Sequence, residues 1–506
     1  MDTDCSGRMR ALVLALGLAP VLAGAADPDV LARFGQAAPG GGTYLVFDSP
    51  QINESGIVLF KALVDHGPAG QRQQWFLVDT YASLQPELAL DVGPSPDGIG
   101  EVTPVVAVLR RHGRAIDFWG SIDTPPPLTG NGAWFARGDD GLVEERLRLG
   151  RAIGAGVTGP QIVCAWHLRI HPQGDFLVQA ALVEAPDQCE GGGPAGPPAT
   201  YRIAADHTVT RLVGEGDAIA NQTGASIGPS RHFFTTMPLE RFSSYWVDAS
   251  AQARYGLFRL GPDGPELELA DGAEVAGIGL VHFEPGLGVI NPPRQLHPIG
   301  TGGYLGRARV QAAPGQPLRE AIVQFGPSGG SVLLEGGQAL PGLGYIAYLG
   351  TPMVGRTAGL IVGLGETPGS FTGVAALTVD ADGLIAMGAR TGAALPATGP
   401  VDELLGHQML PSGALVHSVR FHDGWDTEVL VGTAASGPTP LLPPTLQLEE
   451  VVYRFELPRG TSDPDLWPVN SRGQVVAKAI PRGMWTPNHL IVYFGGTIFA
   501  GDFETP

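Results

Sequence analysis

The feature that most constrains this chain is a unit that recurs about every 60 residues, shown most fully by residues 34–64, FGQAAPGGGTYLVFDSPQINESGIVLFKALV. Its parts are a Gly-rich turn opening at Gly35, an apolar run over 44–47, a four-residue turn Asn53-Glu54-Ser55-Gly56, and an alternating strand. In that strand Ile57, Leu59 and Lys61 fall on one side and Val58, Phe60 and Ala62 on the other. Asn can cap its own turn, and Gly tolerates the positive φ that other residues resist. The pattern predicts a hairpin.

Turns ending in Gly and running into such a strand recur at Gly56, Gly113, Gly174, Gly300, Gly359, Gly413 and Gly473. The gaps are 57, 61, 126, 59, 54 and 60 residues, so one unit between Gly174 and Gly300 lacks its glycine, and residues 232–247 stand in that place. A second Gly element lies upstream of each turn, at Gly35, Gly93, Gly150, Gly216, Gly272, Gly337, Gly392 and, weakly, Gly432. Ahead of it come further hairpins with Asp-Gly or Ser-Gly reversals, as in LFRLGPDGPELEL and ALTVDADGLIAMG. Two hairpins per unit give four strands, the content of one propeller blade. The expectation is an all-β propeller of eight blades with the fourth degenerate, or seven if that unit is an insertion. No stretch holds a helical apolar period over a dozen residues.

The chain starts its repeats in mid-unit at residues 30–35 and stops after NHLIVYFGGTIF, which reads as the first hairpin of a unit lacking its second half. Joined, the ends would complete a blade and hide the edge strands of an open array. The Pro-rich inserts 123–131, 185–199 and 437–444 read as surface loops between strands.

The formal net charge of −19, from 31 basic and 50 acidic residues, repels phosphate backbones and anionic membranes, which excludes nucleic acid as a partner. At the N-terminus, Arg8 and Arg10 precede an apolar run over 11–22 and Ala23-Gly24-Ala25, the order of a signal peptide ending near residue 25, with Met9 an alternative start. The reading is therefore a signal peptide over 1–25, one repeat domain over 26–500 and a short tail over 501–506. The apolar run falls short of the roughly 20 residues a membrane-spanning helix needs. The expected destination is secreted or periplasmic. Cys164 and Cys189 remain after cleavage; a disulfide between them and two free thiols both stay open.

These residues resemble bacterial secreted proteins built of tandem N-x-x-G-x-x-x-A-F repeats, each unit carrying a G-D-P-A-P-G-like turn. The likeness is clearest at 35–63, at 211–220 (RLVGEGDAIA) and at 470–480 (NSRGQVVAKAI), and it covers nearly all of the mature chain. The ending TIFAGDFETP is similar to the short F-A-D-G-F-E terminus of many Gram-negative secreted proteins, with the middle Asp and Gly exchanged. The resemblance implies an exported β-rich protein and carries over no catalytic residue.

Candidate chemistry is sparse. The segments 224–228 (GASIG) and 326–330 (GPSGG) fit G-x-S-x-G, yet neither sits on the strand-to-helix turn a nucleophile elbow needs. Cys164, His167 and His171 are close in sequence, with both His on one face of a strand and Cys164 on the other; a third ligand is not evident, and zinc wants four donors. Asp380-Ala381-Asp382-Gly383 and Asp139-Asp140-Gly141 lack the closing carboxylate of a calcium loop and read as hairpin turns. The tryptophans, Trp75, Trp119, Trp134, Trp166, Trp246, Trp425, Trp467 and Trp485, read as core or inter-blade packing, with sugar stacking the other option. No catalytic, cofactor or metal set emerges. The expected function is a non-enzymatic exported scaffold whose loops bind an extracellular glycan or protein; the alternative is a glycan hydrolase or lyase acting through carboxylates at a central channel.

Overall fold

The computed structural model describes residues 28–495, except 49, 99, 124–131, 149–161, 171–174, 184–198, 205, 229–232, 235–240, 284–295, 300–302, 351, 355–356, 381, 396–398, 411–414, 422–426, 435–436, 449–450, 458–467 and 483–488. The side chains at 161–170, 181–183, 233–234, 298, 354, 434, 437 and 439 also lie outside the described residues. The predicted signal peptide, the tail 501–506, Cys189, and the turn glycines Gly150, Gly174, Gly300 and Gly413 fall outside the described residues.

Short apolar runs punctuated by Gly form strands throughout, and the described helical content is the single 3-10 turn Gly67–Ala69. The strands build seven antiparallel sheets in chain order. Sheets 1 to 6 span 43–90, 93–148, 162–214, 226–270, 273–335 and 339–390, and each is a meander of consecutive strands. Sheet 7 joins two such meanders by the single pair Glu428↔Phe455. One holds Val401–Met409, Leu415–Phe421, Thr427–Ala434 and Gly437–Pro440; the other holds Leu446–Leu448, Val451–Glu456, Val475–Pro481 and Leu490–Phe494. The edge of the latter is completed by Asp29–Arg33, the first described strand, paired antiparallel with the last. Successive four-stranded meanders closed by joining the two ends of the chain make the fold a β-propeller.

Each sheet is apolar on both faces because it is packed between neighbours. Val58, Phe60, Ala62 and Val64 of the strand Ile57–Asp65 share a core with Leu31, Val476 and Ile491, across the closure. Ile57 and Leu59 of the same strand turn the other way, into a core with Val102, Phe118 and Phe135 of sheet 2. The pattern repeats between sheets 3 and 4, where Leu177 and Val213 meet Phe242 and Trp246, and between sheets 5 and 6, where Leu305 and Ile322 meet Leu360 and Val362. Cross-strand aromatic pairs recur at one position of the second and third strands. Phe60 stacks on Phe76, Phe118 on Phe135, Phe242 on Phe258 and Tyr304 on Phe325, with ring centroids 5.1–5.4 Å apart.

The upstream Gly element has one geometry in five units, while Gly93 departs from it, lying in the short strand Gly93–Pro94 without a positive φ. Gly35, Gly216, Gly272, Gly337 and Gly392 all have φ of 75–84°. Each donates its N–H to the carbonyl of the apolar residue that follows the loop: Tyr44, Ile227, Val281, Ile346 and Val401. A second repeated device is a β-bulge on the outer strand. Ala89, Arg146, Leu212, Glu268 and Leu333 are each the extra residue opposite a register shift in sheets 1 to 5.

Four expectations are corrected. Gly359 lies inside the strand Ala358–Gly365; a Cβ there would sit 2.5 Å from the Met409 methyl, so the residue serves close packing, not a turn. Gly432 is likewise within the strand Thr427–Ala434. Gly437–Pro440, expected as loop, pairs with 431–434 as an edge strand, where proline's missing N–H faces no partner. In the closing meander the C-terminal part ends in a single strand, Leu490–Phe494, paired on one side with Val475–Pro481 and on the other with Asp29–Arg33, where a terminal hairpin was expected. The segment 232–247 that lost its glycine contributes Phe233–Phe234 and Arg241–Val247 to a complete sheet 4.

Candidate functional site

Most residues singled out from sequence are structural. Ser226 lies in the two-residue strand Ser226–Ile227, paired with Trp246 and Val247, and 326–330 is the reversal between the strands Arg319–Gly326 and Gly329–Glu335. Neither Gly-x-Ser-x-Gly opens a helix. The Asp380 carboxylate accepts N–H bonds from Asp382 and Leu384 of its own turn, and Asp140 accepts one from Leu142. These carboxylates fix hairpins. Cys164 and His167 belong to the strand Ile162–Ile170, whose register shifts between Ala165 and His167, while His171 lies outside the described residues. Trp75 and Trp246 are buried, and Trp119 packs on Trp134 at 5.5 Å, in line with their reading as packing residues. Trp425, Trp467, Trp485 and the side chain of Trp166 fall outside the description.

The best-buried ionisable groups are also committed to the scaffold. Asp117, wholly enclosed, accepts two 2.8 Å bonds from the Arg110 guanidinium; burial nonetheless pushes its carboxyl above the usual range. A carboxyl with a raised pKa is the raw material of a general acid, but this one reaches no solvent. His417 is fully buried between sheets 6 and 7, and its Nε2 accepts the Ala389 N–H at 3.0 Å.

One cluster is built outward. Tyr348, on the first strand of sheet 6 (Gly344–Leu349), stands directly opposite Gly363 on the second strand, next to a register shift at Ala347. A Cβ on Gly363 would overlap the Tyr348 ring, so the glycine lets the ring lie against the sheet. Phe371, from the loop between the second and third strands, stacks on Tyr348 with centroids 5.9 Å apart and planes at 28°. Covering a strand glycine with an aromatic ring repairs the sheet, which accounts for Tyr348. It does not account for Phe371, which is 61% exposed, over a Tyr348 itself 42% exposed. Val46 and Val106 take the Tyr348 position in sheets 1 and 2, each next to its own register shift, and are 41% and 47% exposed. The position therefore faces outward in all three sheets, and sheet 6 fills it with an aromatic.

Such a stack offers a flat, apolar, pre-set surface of the kind that binds the face of a sugar ring. Reading the sequence placed sugar stacking on the tryptophans and passed over Tyr348 and Phe371. The available signal was a phenylalanine alone in GETPGSFTG (365–373), a loop with no apolar neighbour to bury it.

No family profile matches the chain, and no curated protein matches it. Among solved structures it is similar to the β-propeller domain of the Trilobed protease from Pyrococcus furiosus, at 6% identity and TM-score 0.37, over 79% of this chain and 96% of that one. It is also similar to a Mycobacterium tuberculosis puromycin-hydrolyzing peptidase, at 10% identity and TM-score 0.34, over 89% of this chain and 61% of that one. A polysaccharide lyase of family PL25, an ulvan lyase, matches at 9% identity and TM-score 0.29, over 81% and 97%. Likenesses at these identities and scores assign no chemistry to the chain.

Proposed function

We propose that this chain is an exported, non-enzymatic β-propeller of eight four-stranded units that binds an extracellular glycan through the Tyr348–Phe371 stack. The observation that carries the reading is the layering of Phe371 on Tyr348 on Gly363, a rigid aromatic face left in solvent. Export is supported by the order of Arg8, Arg10, the apolar run 11–22 and Ala23-Gly24-Ala25. A count of eight units is supported by six single meanders and the two joined in sheet 7.

The test is a glycan array probed with the wild-type protein and with Phe371→Ala. Binding that the substitution reduces supports the reading. A blank array, or binding indifferent to Phe371, sinks it; retention of a protein ligand in place of a glycan would redirect it. Turnover of the bound glycan would replace the scaffold with the hydrolase or lyase alternative.

A further inference from the structure

Resting on that glycan-binding reading, we infer that the ligand of the Phe371 stack is a cationic polysaccharide, one whose sugars carry free amino groups. The loop that presents Phe371, residues 365–373, folds back on itself. The Thr372 N–H donates to the Leu364 carbonyl at 2.7 Å, and the Ser370 N–H donates to the Thr367 carbonyl at 3.0 Å. Gly365 is pressed so closely on Ser370 that no Cβ would fit. Glu366 and Phe371 therefore belong to the two facing arms of one tight loop.

Two of the loop's three hydroxyls are already engaged. Ser370 Oγ donates to the Thr367 carbonyl and accepts the Thr367 N–H, and Thr372 Oγ1 donates to the Leu364 carbonyl. Glu366 is the single charged residue in GETPGSFTG, is exposed, and makes no ion pair among the described residues. The loop that presents Phe371 thus offers a π face, an exposed carboxylate and no base of its own. A uronic or sulfated sugar would bring a second negative charge to that carboxylate, against a chain already at −19. A neutral sugar would gain no charge contact from the loop. A sugar bearing an ammonium group gains both an ion pair with Glu366 and a favourable position over the aromatic face.

The experiment is calorimetric titration of the full chain with three hexasaccharides: free-amine glucosamine, its N-acetylated form, and galacturonate. The free-amine oligomer is expected to bind about fivefold more tightly than the acetylated one, a difference of about 1 kcal/mol. That preference should vanish in Glu366→Gln, while Phe371→Ala should weaken both oligomers roughly tenfold, the order of a lost aromatic stack. Glu366 is one of 50 acidic residues, so its substitution separates a local contact from attraction by overall charge. Equal or tighter binding of the acetylated oligomer, or an amine preference that survives Glu366→Gln, overturns this inference alone. If none of the three binds, the glycan reading falls and this inference with it.

Discussion

The Asn470 side-chain amide donates to the backbone carbonyl of Asn53 at 2.9 Å, a bond between residues 417 positions apart in the chain. Asn53 repeats the gesture one sheet on, its amide donating to the carbonyls of Arg110 and Gly113 at 2.8 Å each. Each Asn meanwhile holds its own turn, since Asn53 Oδ1 accepts from Ser55 and Ile57 and Asn470 Oδ1 from Arg472 and Gln474. The Asn-x-x-Gly signature is therefore both a turn and a rivet to the next sheet. Across the closure it is reinforced by the Glu54 carboxylate, which accepts from the Ser471 N–H and hydroxyl.

Asn53→Ala should cost about 2–4 kcal/mol, because four buried or part-buried bonds are lost at about 0.5–1.5 kcal/mol each and two carbonyls are left unpaired. Asn53→Asp keeps the accepting oxygen, loses both donors and sets a carboxylate against those carbonyls, so it should cost at least as much. Urea midpoints measure both. A change within about 0.5 kcal/mol, the range of an ordinary surface substitution, would show that the rivet contributes nothing.

The closure itself can be loosened from the other side. Leu31, on the first described strand, is 2% exposed and packs with Tyr44, Phe60 and Ile491. Leu31→Ala should destabilise by roughly 2–4 kcal/mol through lost burial and the cavity left behind. Hydrogen exchange should quicken first at the amides of Leu490–Phe494, which that strand covers. Exchange that rises uniformly in all sheets would instead mean that the seam is no weaker than the rest.

The period was legible in sequence because the glycines marking it meet a backbone demand: Gly35, Gly216, Gly272, Gly337 and Gly392 sit at φ that side chains resist. A glycine answering to packing gave a false reading, since Gly359 obeys neighbours that no spacing reveals, and Gly432 lies within a strand. The prolines of 437–440 looked like loop because their tolerance depends on lying at an edge, a property of the assembled sheet. The bulges at Arg146 or Glu268 were hidden for the same reason, register being set between strands. Phe371 escaped notice because exposure of an aromatic is decided by what fails to cover it.

Asp117 and Arg110 offer a test of whether buried charge stabilises this scaffold or merely specifies it. Asp117→Ala should cost about 3–5 kcal/mol by leaving Arg110 without its bidentate carboxylate partner in a largely buried site. The double substitution Arg110→Met with Asp117→Leu should recover most of that loss, since apolar residues of similar volume escape the desolvation penalty. A double change as damaging as the single one would show that the pair's hydrogen bonds, and not relief of isolation, hold the site together.

His417 should govern part of the acid sensitivity of the fold. It is enclosed by the Gly388–Ala389 segment of sheet 6, by Thr433, and by His407 directly across the strand pair. A Cβ on Gly388 would fall 2.6 Å from its ring, so the imidazole has no room to turn away. Nε2 must stay unprotonated to accept the Ala389 N–H, and burial together with the neighbouring His407 pushes the pKa down to about 3. In the unfolded chain the same group titrates near the ordinary value of about 6.5. Protons therefore bind the unfolded state preferentially: stability is fully present above pH of about 6.5 and falls by up to about 1.4 kcal/mol per pH unit between that value and about 3. His417→Gln can still offer an oxygen to the Ala389 N–H but cannot titrate. Its stability at neutral pH should drop by about 1–3 kcal/mol, while its decline between pH 6 and 4 should be shallower by one proton than that of the wild-type protein. Urea midpoints measured across that range decide the matter, because parallel curves for the two proteins would show that His417 takes up no proton on unfolding.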